Sequence, residues 1–125
     1  MTRHVAVWID HQEAKIYHVD AATFEAKDIH APGRHVHRHP TVTADHKHPI
    51  DLQHFFKDVV HALEGAEEIL IVGPATAKLE LIKYVHKHLP ALDHKIVGVE
   101  TVDHPTDGQL VAYARKYFRK VDGMM

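Results

Sequence analysis

The sequence predicts a single α/β domain, and three observations support this. Strand-length segments with alternating apolar residues come first, and they are HVAVWID, EAKIYHV and Thr23–Ile29. Two further β-branched segments, EILIVG and HKIVGVET, alternate with segments of helical spacing. A chain of 125 residues has the size of one domain and can bury a hydrophobic core. We therefore expect one domain that covers residues 1–125.

The first two segments predict a β-hairpin. Val5, Val7 and Ile9 fall on one face of the first strand, and the polar turn DHQ at residues 10–12 separates it from the second strand. A short turn at residues 20–22 then leads into a third antiparallel strand. The first third of the chain is therefore predicted to be rich in strands.

Helical spacing begins after Pro49. Asp51 is predicted to be the N-cap of the first helix, and Gly65 is predicted to end it. The apolar residues on its inner face are Leu52, Phe55, Phe56, Val59, Val60 and Leu63. The polar residues on its opposite face, which we expect to be exposed, are His54, Lys57, Asp58 and His61.

The remainder of the chain alternates strands with helices. The run EILIVG at residues 68–73 is continuously apolar, as expected for a central parallel strand covered on both faces. The next predicted helix covers Ala77–Leu89 and ends before Pro90. Thr106 and Gln109 form a capping box, with Thr106 as N-cap and Gln109 at N3 of the last helix. The predicted inward residues of that helix are Leu110, Val111, Ala114, Tyr117 and Phe118.

The predicted order of elements is βββαβαβα. Three antiparallel strands followed by alternating helices and strands are the order of ribonuclease H-like folds, in which a mixed five-stranded sheet carries helices on both faces. This three-layer architecture supports many unrelated activities, so function must be argued from particular residues.

A long loop at about residues 31–49 interrupts the periodicity, and prolines and a glycine break it up. A gap of this length in a compact domain is usually functional or disordered. Arg34, Arg38 and Lys47 outnumber Asp45, although the chain as a whole has a net charge of −2. The loop is therefore predicted to be the basic part of the molecule, and its histidines add charge as the pH falls.

Two binding functions are open to this loop. Arg34, Arg38 and Lys47 would neutralise RNA phosphates, and neighbouring histidine rings would protonate or stack on bases. The histidines assigned to this RNA contact are His35, His37 and His39. Imidazoles in a His-x-His pattern also suit zinc, nickel or copper. The histidines assigned to such a metal site are His35, His37, His39, His46 and His48.

A third hypothesis is a metal-dependent nuclease. Asp10 ends the first strand, where ribonuclease H-like nucleases place a metal-binding carboxylate. Glu100, Asp103 or Asp107 could approach it from the last parallel strand, because two-metal hydrolysis needs several converging carboxylates. Roles in turns and helix caps account for Asp10, Asp103 and Asp107 equally well.

Composition excludes some classes of protein. Without cysteine the chain has no disulfide, no thiolate nucleophile and no cysteine-ligated zinc. The apolar run before Asp10 is too short for a signal peptide or a membrane span. We therefore expect a cytoplasmic protein that does not contact a membrane.

The segment EEILIVGPATAKLELIKYVHKHLPALDHKIVGVETVDHP resembles the strand-helix-strand half of the middle domain of archaeal and eukaryotic class I release factors and of Pelota. The opening HVAVWIDHQEAKIYHV is similar to the first hairpin of that domain. Small bacterial proteins with the pattern VETxDHPTDGQxVAxARKYF, here Val99–Phe118, are commonly called translational machinery components. The resemblance spans nearly the whole chain and implies a ribonuclease H-like fold and a ribosomal partner.

The loop departs from the release-factor pattern. In release factors the corresponding loop carries a Gly-Gly-Gln motif that assists ester hydrolysis, whereas this loop has a single glycine, Gly33, and no glutamine. The Gly108-Gln109 pair lies instead in the predicted helix cap. We therefore expect a non-enzymatic protein that contacts RNA or the ribosome through the loop, and that can form a homo-oligomer.

Overall fold

A computed structural model describes residues 3–31 and 49–123 of the protein. The elements, in chain order, are β1 (His4–Ile9), β2 (Glu13–Val19), β3 (Phe24–His30), α1 (Pro49–Ala62), β4 (Glu68–Gly73), α2 (Ala77–His88), α3 (Pro90–Asp93), β5 (Ile96–Thr101) and α4 (Asp107–Gly123). The predicted order is confirmed, and the short helix α3 is added to it. Leu92 N–H donates to Leu89 O at 2.9 Å in this extra turn, which a four-residue sequence pattern does not reveal.

The strands form one five-stranded mixed sheet in the order β3-β2-β1-β4-β5. β1 pairs with β2, and β2 with β3, in antiparallel fashion. β1 pairs with β4, and β4 with β5, in parallel. With α1 and α2 on one face and α4 on the other, the predicted three-layer α/β fold class is confirmed.

The central strands are buried on both faces because their side chains alternate between two cores. In β1, Val5, Val7 and Ile9 pack beneath α1 and α2, whereas Ala6 and Trp8 pack beneath α4. β4 divides its residues in the same way, and the continuous burial predicted for it is confirmed. Burying each aliphatic side chain of this kind stabilises the fold by about 1.5–3 kcal/mol.

The helix ends show where local sequence signals succeed and fail. In α4 the capping box is confirmed, since Gln109 N–H donates to Thr106 Oγ1 at 3.1 Å and Thr106 N–H donates to Gln109 Oε1 at 2.9 Å. In α1 the prediction of Asp51 as N-cap is wrong, because the helix already begins at Pro49. The fixed φ of proline suits a first helical turn, where its missing N–H has no partner to lose. Gly65 follows the end of α1 with φ of 86°, a conformation that favours glycine.

The sheet has two distinct ends. β1, β3, β4 and β5 run in the same direction, so the residues that follow them meet at what we call the carboxyl end of the sheet. The residues that precede these strands, together with the last turn of α4, form the amino end. Within the described residues, no helix has both the length and the apolar character needed to cross a bilayer.

Close approach of β1 and β4 at the carboxyl end requires a glycine at position 73. A Cβ on Gly73 would collide with the carbonyl oxygen of Ile9, whereas a Cβ on Gly108 would meet nothing within 4 Å. We predict that Gly73→Ala lowers the free energy of unfolding by about 1–3 kcal/mol. The matched control Gly108→Ala should be neutral or stabilising by up to about 1 kcal/mol, because alanine favours helix. Urea unfolding followed by Trp8 fluorescence measures both, and equal effects would contradict this account.

Candidate functional site at the carboxyl end of the sheet

The last described residue before segment 32–48 is held against the sheet. Ala31 N–H donates to Gln12 O at 2.8 Å, and the Ala31 side chain is buried. His30 pairs with Glu13 in the β2–β3 ladder, and its Nδ1 lies 3.9 Å from the Glu13 carboxylate. The chain is therefore anchored beside the β1–β2 turn just before the basic segment begins.

The β1–β2 turn is itself held rigidly by Asp10. Its Oδ1 accepts the N–H groups of Gln12 at 2.8 Å and Glu13 at 2.9 Å. The backbone N–H of Asp10 also donates to Glu13 O at 3.0 Å. This use of an aspartate oxygen by following N–H groups is the usual Asx turn, so a structural role accounts for Asp10.

A polar bridge joins this turn to the start of α2. His11 Nε2 lies 2.9 Å from Glu80 Oε2, and Thr76 Oγ1 donates to the same oxygen at 3.3 Å. Beside this bridge Lys78 is buried, and its ammonium donates to Ala75 O. The bridge fixes the β1–β2 turn against the helix that follows β4.

Sequence reasoning missed Lys78. The available signal was its helical spacing with Leu81 and Val85, which places all three on the inner face of α2. A lysine at an inward position of a first turn is unusual, because buried ammonium groups need hydrogen-bonding partners. Lys78 therefore adds a buried, hydrogen-bonded side chain to the polar groups at the carboxyl end of the sheet.

The other face of the sheet carries aromatic groups at this end. Trp8 Nε1 donates to Asp103 O at 2.6 Å, and the His104 ring lies 4.9 Å from the Trp8 ring. This contact fixes the β5–α4 connection over the sheet. A cleft of about 360 Å³ opens beside it, and its lining residues are Val102, Asp103, His104, Pro105, Gln109, Leu110 and Tyr113.

Tyr17 and Asp107 tie β2 to the start of α4. The Tyr17 hydroxyl donates to Asp107 Oδ1 at 2.6 Å from a nearly inaccessible site. Burial raises the pKa of Tyr17 strongly, and its hydrogen bond to Asp107 adds to the rise. Tyr17 therefore stays protonated in the folded protein well above the pH at which tyrosine ordinarily ionises.

The residues predicted to bind RNA or metal lie outside the described part of the chain. These residues are Arg34, His35, His37, Arg38, His39, His46, Lys47 and His48. Their assignment to RNA, or to zinc, nickel or copper, stays a prediction from the sequence. The polar face of α1 is described, and His54, Asp58 and His61 are exposed on it as expected.

The carboxylates considered for a nuclease site lie in the described part of the chain, but they do not converge on one point. Glu100 accepts the Tyr117 hydroxyl at 3.4 Å, Asp103 lies 2.9 Å from His104 Nδ1, and Asp107 accepts the Tyr17 hydroxyl. In residues 3–31 and 49–123, the one group of three histidine or acidic ligand atoms within 4.8 Å of one another lies elsewhere, at the amino end. The described residues at the carboxyl end therefore form a polar and aromatic surface and not a converging carboxylate cluster.

Comparison with solved structures confirms the resemblance to release factors and Pelota at the level of fold. Archaeoglobus fulgidus Pelota superposes with a TM-score of 0.70 and 17% identity, over 98% of this chain and 33% of that protein. Saccharomyces cerevisiae Dom34 gives a TM-score of 0.57 at 11% identity, over 98% of this chain and 38% of that one. The archaeal translation termination factor aRF1 gives a TM-score of 0.54 at 14% identity, over 97% of this chain and 38% of that one.

These likenesses define the class of fold and nothing narrower. The chain spans between 33% and 38% of the length of these three proteins, and it corresponds to one part of each. No protein-family model matches the sequence, and no curated protein matches it. The chain therefore has the fold found within Pelota and archaeal release factors.

The Tyr17–Asp107 hydrogen bond gives a pH-dependent prediction. Tyr17→Phe should lower the free energy of unfolding at neutral pH by about 0.5–1.5 kcal/mol. Because unfolded tyrosine ionises near pH 10.0 and folded Tyr17 ionises only at higher pH, its contribution is complete below that value and is lost as the pH rises above it. Urea unfolding at a series of pH values should show a steeper alkaline loss for the natural protein than for Tyr17→Phe. Equal slopes would show that Tyr17 is not held protonated by the fold.

Proposed function

We propose that this chain is a non-catalytic, translation-related protein that contacts RNA, most directly ribosomal RNA, through its basic segment at residues 31–49. The observation that carries the proposal is the likeness of nearly the whole chain to parts of translation proteins. One of these proteins is a translation termination factor, and another is a termination-like factor involved in RNA quality control pathways. A shared fold alone permits other functions, so the proposal also needs the chemistry of this chain.

That chemistry is a concentration of positive charge in one stretch of the sequence. Arg34, Arg38 and Lys47 would pair with phosphates, with His35, His37 and His39 contributing stacking or further charge. The segment starts at Ala31, which is fixed to the β1–β2 turn by a 2.8 Å hydrogen bond.

The helix cap of α4 argues for binding without hydrolysis. Gln109 belongs to the chain's Gly-Gln pair, and both its side-chain oxygen and its backbone N–H are engaged with Thr106. This glutamine therefore supports the start of α4 and is not presented on a projecting loop. We expect no release of peptide from the ribosome by this protein.

Salt dependence tests the proposal. If three cations contact single-stranded RNA, affinity should fall by roughly twentyfold between about 50 and 200 mM salt. The variant Arg34→Ala/Arg38→Ala/Lys47→Ala should bind weakly and lose most of that salt dependence. Fluorescence anisotropy with an unstructured RNA oligonucleotide, together with co-sedimentation with ribosomal particles, measures both effects.

The matched control is Lys57→Ala/Lys83→Ala/Lys87→Ala. It removes the same charge from exposed positions on α1 and α2, and it leaves residues 31–49 intact. This control should bind RNA nearly as the natural protein does. The proposal is wrong if the control loses as much affinity as the first variant, or if the first variant binds and sediments unchanged.

A further inference from the structure

The amino end of the sheet brings together three side chains that are distant in sequence. His4 begins β1, Glu68 begins β4, and Asp122 lies in the last turn of α4. His4 Nε2 lies 3.1 Å from Glu68 Oε1 and 3.2 Å from Asp122 Oδ2. All three ligand atoms lie within 4.8 Å of one another. The cluster lies at the opposite end of the sheet from Ala31, the last described residue before the segment proposed to contact RNA.

The cluster is short of hydrogen-bond donors. A neutral imidazole with its proton on Nε2 has one N–H on that side, which cannot fully satisfy two carboxylate oxygens. The geometry directs the hydrogen bond of His4 to Asp122. Glu68 Oε1 is buried, and although His4 Nε2 lies 3.1 Å away, no described residue donates a well-aligned hydrogen bond to it. A buried carboxylate oxygen without a partner is costly, so this arrangement calls for an additional positive group.

Electrostatics gives the same indication. The carboxylate ligand atoms of Glu68 and Asp122 lie within 4.8 Å of each other, beside the single imidazole of His4. Two carboxylates this close repel each other unless a proton or a cation lies between them. The side chains of His4 and Glu68 are only 21% and 18% exposed, whereas that of Asp122 is 43% exposed. A cation could therefore enter past Asp122 and meet the two more buried ligands.

We propose that His4 Nε2, Glu68 Oε1 and Asp122 Oδ2 bind a divalent transition-metal ion, with zinc as the best fit and water as the remaining ligand. Ligands held about 2.0–2.2 Å from a tetrahedral zinc ion lie roughly 3.3 Å from each other. The separations of 3.1 and 3.2 Å from His4 Nε2 need little adjustment to reach that value. An imidazole ligand favours zinc over magnesium or calcium, which prefer oxygen alone.

The His4 ring is already oriented for this role. It packs against Phe118 with a centroid distance of 4.4 Å, so a residue of the α4 core fixes the ring. A bound ion would fasten the last turn of α4 to the first residues of β1 and β4. The site is thus a structural clamp across the amino end of the sheet, and it does not depend on the proposed RNA contact.

The test must separate this site from the histidines of residues 31–49. The background is the full chain with His35, His37, His39, His46 and His48 replaced by glutamine. In that background, calorimetric titration with zinc chloride should show one site, and zinc should raise the melting temperature relative to EDTA. Asp122→Asn and His4→Gln should each weaken zinc binding by more than about tenfold, because each removes one of three protein ligands.

Asp58→Asn is the matched control. It makes the same change at an exposed helical position near His54 and His61, and it should leave zinc affinity and the zinc-dependent melting shift unchanged.

In EDTA, Asp122→Asn should melt at or above the temperature of its parent, because the substitution relieves repulsion between Asp122 and Glu68. The same melting curve also shows that the variant folds. Absence of zinc binding in the background would overturn the proposal. Equal affinity in Asp122→Asn, or loss of binding in Asp58→Asn, would overturn it too.

Discussion

Parallel pairing of β1 with β4 is the constraint on which the rest of the molecule depends. Both strands are buried on both faces, so they belong to the core under α1 and α2 and to the core under α4 at once. Gly73 leaves room for the carbonyl oxygen of Ile9, with which any Cβ at that position would collide. Because β1 and β4 are parallel, their first residues lie together at the amino end of the sheet and their last residues lie together at the carboxyl end. The His4 cluster follows from this pairing, since the register of β1 and β4 places His4 opposite Glu68.

Much of the fold could be predicted because its signals are local. The alternation of β1, the continuous apolar run of β4 and the capping box of α4 each reside in a few consecutive residues, and the structure confirms all three. The start of α1 was misplaced because Asp51 is a favourable N-cap residue in isolation. Helix α3 was missed because four residues carry too little periodicity to distinguish a turn from a loop.

The candidate sites were less predictable because they depend on contacts between distant residues. His4 and Asp122 are separated by 118 positions, and nothing near either residue indicates the other. The bridge from His11 to Glu80 likewise requires β1 and α2 to be packed before it exists. Sequence reasoning therefore identified the charged segment, whose residues are consecutive, and overlooked the clusters that the sheet assembles. The structure adds where that segment is anchored, through Ala31 and the Asp10 turn.

The central proposal is that residues 31–49 contact RNA and that the amino end of the sheet does not. Amide chemical shifts in a nitrogen-15 NMR titration with an RNA oligonucleotide test this most directly. The account predicts changes in the basic segment and in Gln12 and Ala31, which are hydrogen-bonded to each other where that segment begins, with Glu68 and Asp122 unaffected. Changes concentrated at the amino end, or along α4, would contradict it.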